Sequence, residues 1–150
     1  MAAAYPSSVS GAIGIVEMSG ETDLETLIRS MSARLHDGVY VFATVPDGVS
    51  TEGMDARMTF REAEGTTLIL RQDVARAHGL RGEFPCRMIT LEVHSALDAV
   101  GFLARITRAL ADAGMGVNPV SAFFQYHLFV PADRAEDAMG VLAGLAKGAA

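Results

Sequence analysis

Apolar residues recur at helical spacing near the start of the chain and give way to β-type runs soon after. Leu24, Leu27, Ile28, Met31 and Leu35 fall on one face of a helix, with Glu25 and Arg29 elsewhere on the wheel. Thr22 and Glu25 supply a capping box, in which the hydroxyl takes an orphan amide of the first turn and the carboxylate reaches back to the cap. Gly38 is the left-handed residue that would end this helix. VYVFATV (39–45) is β-branched and aromatic and predicts a buried strand. After the loop PDGVSTEGMDA, the run RMTFREAEGTTLIL (57–70) predicts two strands about a turn at Glu64 and Gly65. QDVARAHGL then predicts a short helix closed by Gly79, and residues 81–85 read as a connector.

The second half repeats this grammar with a strand in front, FPCRMITLEV (84–93). Ser95 and Asp98 again resemble a capping box, and Val100, Leu103, Thr107 and Leu110 line one face of a helix whose other face carries Arg105, Arg108 and Asp112. GMG breaks that helix. VNPVSAFFQYHLFVP (117–131) holds two strands about Gln125 and Tyr126, and Asp133 with Glu136 caps a last helix through Ala135, Met139 and Leu142. A helix, a strand pair and a second helix in each half point to internal duplication.

Composition narrows the function classes. Half of the 150 residues are hydrophobic, the formal net charge is −6, and the 12 Lys and Arg are scattered, which argues against a nucleic-acid partner. One cysteine, Cys86, excludes an internal disulfide framework and the multi-cysteine zinc patterns, and fits a reducing, cytoplasmic location. Cys86 itself reads as a small buried apolar group. No apolar run approaches the ~18 residues that a membrane helix needs, so no membrane partner is expected. MAAAYPSSVSGAIGIVE lacks the basic start of a signal peptide, and residues 1–20 are expected to be a disordered extension.

The stretch ITLEVHSALDAVGFLARITRALADAGMGVNPVSAFFQYHLFVP resembles the core of ACT domains: a strand, a D-x-P-G-x-L helix start, an A-x-x-G exit and a two-strand return. Val100 stands where that family usually has proline. From about Met18 the chain is similar to small bacterial proteins of tandem ACT-like domains related to the regulatory part of aspartate kinases, with SGETDLETLIRSM, FREAEGTTLIL and HLFVP adding to the likeness. The resemblance implies an α+β fold of two ferredoxin-like βαββαβ modules, antiparallel sheets with helices on one face, at 21–83 and 84–150. The first module lacks an obvious leading strand, which leaves its sheet incomplete or completed by a borrowed strand; GAIGIV (11–16) is a candidate.

The resemblance further implies a non-enzymatic regulatory module that binds an amino acid or similar small metabolite where a strand-to-helix loop meets its neighbour. Here that loop comprises His94, Ser95, Ala96, Leu97, Asp98, Val100, Gly101 and Phe102. Free amides at a helix start attract a carboxylate. Gly101, expected inside the early turns, costs about 1 kcal/mol relative to alanine, and is read as a point of close approach for a ligand or a neighbouring backbone. The opposite wall is expected from Asn118, Pro119, Val120 and Ser121, where Asn118 either pairs with the α-amino and α-carboxylate groups or only takes a turn conformation. His127 is expected at the rim. No catalytic group, metal or cofactor is expected, and a homodimer through sheet or helix pairing is. Phe123, Phe124 and Phe129 read as core or interface residues. Two alternatives stand beside this reading: a dimerisation module without ligand, and a small enzyme using His94 or His127 as acid-base, for which no partner nucleophile or metal cluster can be placed.

Overall fold

The computed structural model describes residues 23–94, 97 and 99–148. The expected extension at 1–20, the GAIGIV strand, the Thr22 cap and the site positions Ser95, Ala96 and Asp98 lie outside the described residues. The elements are α1 (Leu24–Ser30), β1 (Ser32–Leu35), β2 (Tyr40–Val45), β3 (Met58–Glu62), β4 (Gly65–Arg71), α2 (Gln72–Ala77), β5 (Glu83–Glu92), α3 (Phe102–Asp112), β6 (Asn118–Ser121), β7 (Tyr126–Pro131) and α4 (Ala135–Ala146), with a 3₁₀ turn at Ala132–Arg134.

The strands form one antiparallel sheet in the order β3-β4-β2-β5-β7-β6, with β1 beside β5. The long strand β5 joins the halves. Along one edge it pairs with β7 from Cys86 to Leu91. Along the other it pairs first with β2, through Cys86 opposite Tyr40, and then with β1, from Ile89 opposite Leu35 to Glu92 opposite Ser32. Taken four at a time, β5-β2-β4-β3 and β1-β5-β7-β6 have the same strand order, that of the ferredoxin-like βαββαβ unit. The first has a loop, residues 46–57, where the second has α3. The second receives its last strand, β1, from the beginning of the described chain.

That last point corrects the sequence expectation of one helix running to Gly38. Asp23 is the N-cap, its carboxylate accepting from the Thr26 amide at 3.0 Å, and the helix stops at Ser30 where Met31 turns extended. Ala33 and Leu35 then lie opposite Leu91 and Ile89 and pack against the helix-side core. An open edge of β5 offers this segment a hydrogen-bonded ladder, and tertiary pairing overrides local helix preference. Gly38, at φ 91°, turns the chain from β1 into β2 instead of closing a helix.

The helices among the described residues all cover one face of the sheet. Leu27 and Ile28 of α1, Phe102, Ile106 and Leu110 of α3, and Ala138 and Leu142 of α4 bury Ile89, Leu91, Leu128 and Val130. Over the first half, α2 and the loop residue Met54 cover Val41, Val45, Leu68 and Leu70. The buried stripe of α3 is therefore Phe102, Ile106 and Leu110, not the expected stripe beginning at Val100, which is 87% exposed. The helix starts at Phe102, seven residues later than Ser95, so the wheel is set by Phe102.

No helix among the described residues covers the opposite face, yet Tyr40, Ile69, Cys86, Met88 and Phe129 are buried there. The sheet curls to achieve this: Met58 at the start of one outer strand and Val120 on the other outer strand line the same cavity. Phe129 anchors the curl, edge-on to Tyr40 at 6.1 Å and to Phe42 at 5.9 Å between ring centroids. A register shift between β2 and β5, with Phe84 at φ 55°, bends β5 beside Pro85. The expected connector at 81–85 is thus partly strand, since β5 begins at Glu83. Phe129→Ala should cost about 3–5 kcal/mol, read as a lower urea midpoint with an unchanged slope.

Candidate functional site

The strand-to-helix loop expected to hold a ligand lies at one end of the second half. Gly101 is the N-cap of α3, at φ 91° and ψ −10°, and not a residue inside its turns. A Cβ built on it would meet only the Leu24 Cδ2 at 3.5 Å, an ordinary contact. The glycine therefore answers to backbone conformation: a side chain in the left-handed region costs roughly 1–2 kcal/mol. Phe102 is fully buried and tilted against Tyr126 at 5.2 Å, so it anchors the helix and lines no open site. His94, Leu97 and Val100 are exposed.

The expected opposite wall does not gather around this loop as a unit. Ser121 pairs with Tyr126, which pairs with Leu91, so Ser121 does lie toward the β5 end from which the loop departs. Asn118 pairs with Phe129, opposite Met88, three residues down the strand or about 10 Å away. Asn118 and Val120 lie in register with Phe129 and His127 of the uncovered face, whereas α3 packs on the other face. Asn118, Pro119 and Ser121 are exposed.

Val120 and His127 instead belong to a cavity of about 280 Å³ in the curl of the uncovered face. Its apolar lining is Met58, Met88, Val120, Ala122 and Phe129. Its polar lining is Arg34, His36, Arg57, Thr90 and His127, with no carboxylate among them. Thr90 is 1% exposed and its hydroxyl lies 2.7 Å from His36 Nε2 and 2.9 Å from His127 Nδ1. A hydroxyl donates one hydrogen, so at most one ring accepts from Thr90 and at least one donates to it.

Each cation at this cavity has a different hold. Arg34 pairs with Glu92 at 2.7 Å, and Ser32 donates to the other oxygen of that carboxylate at 3.3 Å. The Nε of Arg57 donates to the Tyr40 hydroxyl at 3.4 Å, and its guanidinium makes no ion pair among the described residues. Arg87 fixes the β1–β2 link from outside by donating to the His36 carbonyl at 2.8 Å. Burial is the first cause that holds His36 and His127 below the usual histidine value, and the charges of Arg34 and Arg57 add to it. Both rings are therefore neutral near pH 7.

Sequence reasoning located His127 and Val120 but missed Arg34, His36, Arg57 and Thr90. Arg34 and His36 fell on the expected helix, and Thr90 on a strand whose two faces could not be ranked. The alternation M-I-T-L in β5 carried a signal, since Thr90 is the polar member of an otherwise apolar run. Cys86 is fully buried; burial pushes its thiol up to about 12, so it is an inert thiol at neutral pH. Phe129 is core, whereas Phe123 and Phe124 are exposed. No helix among the described residues is long and apolar enough to cross a membrane.

Two outcomes follow from this geometry. Gly101→Val should lower stability more than Gly101→Asn, because asparagine tolerates the left-handed region, and thermal melts of the two variants compare them directly. The ligand-free protein should also lose stability as pH falls from 7 toward 5. In that window the unfolded imidazoles, at their ordinary value of 6.5, take up protons that the folded rings resist, so stability is complete above it and is lost on acidification. Replacing both His36 and His127 by glutamine should flatten this part of the stability–pH profile.

Comparisons with known proteins agree with the topology. Residues 19–87 match one ACT domain family and residues 83–144 match a second ACT domain family. A Vibrio cholerae protein of unknown function, described as a possible transport protein, is 38% identical over 82% of this chain and 95% of its own, with a TM-score of 0.76. A protein from Agrobacterium tumefaciens is 19% identical over 77% of this chain and 89% of its own, with a TM-score of 0.63. The ligand-free regulatory subunit of aspartate kinase from Thermus thermophilus shares the fold, at 13% identity over 75% of this chain and 95% of its own and a TM-score of 0.55. Comparison with curated proteins gives no match.

Proposed function

The chain belongs to the ACT domain family, and from that premise we propose that it is a cytoplasmic regulatory module without catalytic activity of its own, which binds an amino acid or similar small metabolite. The observation that carries this reading is the cavity in the sheet's curl, to which both halves contribute: Arg57 and Met58 from the first, Val120 and His127 from the second. A ligand there would favour one curvature of the shared sheet over another, which is what a reporter of ligand concentration requires. The fold likeness to an aspartate kinase regulatory subunit fits such a role. The cavity, at about 280 Å³, falls just below the roughly 300–1,000 Å³ of pockets that take drug-sized ligands, which suits a smaller metabolite.

The second reading, a dimerisation module, has an observation of its own. Leu97, Val100, Phe123 and Phe124 are exposed, and all four lie on the loop and the β6–β7 turn at one end of the second half. Such apolar groups suit a second chain. The two readings are compatible, and the homodimer remains part of the proposal.

A thermal-shift panel of the amino acids and small organic acids at millimolar concentration tests ligand binding. A ligand at 100 times its dissociation constant adds about 2.7 kcal/mol, or roughly 5–10 °C for a chain of this length. At least one compound should produce that rise. A flat response to the whole panel would remove the sensor reading and leave dimerisation.

A further inference from the structure

The cavity of the uncovered face has a chemical bias that the regulatory reading does not by itself contain. Its polar lining holds two guanidinium groups, two imidazoles that can become cationic, one neutral hydroxyl and no carboxylate. Of the carboxylates that act on its cations, Glu92 is already engaged by Arg34 and Ser32, and the exposed Asp55 acts on Arg57 without coming within ion-pair distance. An α-ammonium group entering this cavity would therefore meet like charge with no carboxylate in the lining to pair with, whereas a carboxylate would meet Arg57, which has no anionic partner within ion-pair distance among the described residues. The apolar remainder, Met58, Met88, Val120 and Phe129, suits a short hydrocarbon body.

We propose that this cavity binds a compact, net-anionic carboxylic acid without a free ammonium group, with Arg57 as the principal carboxylate partner and the His36–Thr90–His127 cluster closing the site beneath it. The proposal rests on the regulatory reading for its role and narrows the ligand class within it. The geometry assigns the cluster a second task. Thr90 can accept from both rings at once through its two lone pairs, so both imidazoles can be protonated without losing their anchor once its hydrogen turns away.

Proton uptake follows from the charges that face these rings. His36 and His127 face Arg34 of β1, Arg57 just before β3 and each other, with Glu92 of β5 as the opposing charge on His36 and Asp55 acting in turn on Arg57. An added carboxylate offsets the two arginines and favours the imidazolium forms. Binding is therefore tighter at pH 6 than at pH 8, by at most about tenfold per pH unit for each proton taken up.

Titration calorimetry on the full chain decides this, using succinate, its mono-ammonium counterpart 4-aminobutanoate, and methionine as probes. Succinate should bind, 4-aminobutanoate should bind at least tenfold more weakly, and succinate affinity should rise from pH 8 to pH 6. Arg57→Gln, an exposed position, should weaken succinate at least tenfold with its circular dichroism unchanged, and Arg57→Lys should retain part of the affinity. Equal affinity for succinate and 4-aminobutanoate, or succinate binding untouched by Arg57→Gln, would overturn the proposal. Methionine binding that survives Arg57→Gln would also overturn it, while leaving the regulatory reading intact with its site elsewhere. If none of the probes binds, the proposed ligand class fails, and the wider panel of amino acids and acids then decides the regulatory reading separately.

Discussion

The pairing of β5 on both edges is the constraint on which the rest of the molecule depends. One ten-residue strand serves as the closing strand of the first half and the opening strand of the second, with β7 on one edge and β2 then β1 on the other. Because the backbone ladder must be continuous, the two halves cannot be separated without exposing unpaired amides. The same sharing explains β1. The far end of β5 would be an open edge if residues 32–35 had stayed helical, and an unpaired edge beside a buried strand is costly to leave.

Sharing a strand also makes the uncovered face usable. A sheet with helices on one side normally leaves the other to solvent, but the bend at Phe84 and the ring contacts of Phe129 with Tyr40 and Phe42 roll this one inward. Residues that begin far apart, Arg34 and Arg57 from the first half and Thr90 and His127 from the second, are carried into one cavity. Burial in the cavity disfavours the charged imidazoles, and the charges of Arg34 and Arg57 add to that effect. Curvature, electrostatics and ligand preference are thus consequences of one pairing scheme, and a bound anion would act on the element common to both halves.

Most of the strands were legible because their signals are local. VYVFATV, TTLIL and HLFVP are β-branched or aromatic runs bounded by turn residues, and the turns at Gly65, Gly79 and Gly114 fall where expected. The errors share a different cause. Ala33 and Leu35 fit both a helical and an alternating pattern, and only the distant β5 edge decides between them. The start of α3 was placed at Ser95 because a capping-box pattern is local, whereas Gly101 and the buried Phe102 fix the start through tertiary packing. The cavity was illegible for the same reason: its arginines, histidines and threonine converge only after the register of β1, β5 and β7 is known, although Thr90 and His127 each interrupt an apolar strand.

The chain's four histidines are placed to test the account directly. His36 and His127 line the cavity, His94 sits on the exposed loop before α3, and His78 follows α2. Imidazole resonances followed by NMR during a titration with a bound acid therefore report which site is occupied. The account predicts that His36 and His127 shift together and that their titration moves to higher pH, with His78 and His94 unchanged. Shifts confined to His94, with the cavity pair unmoved, would contradict it and place the ligand at the entry to α3.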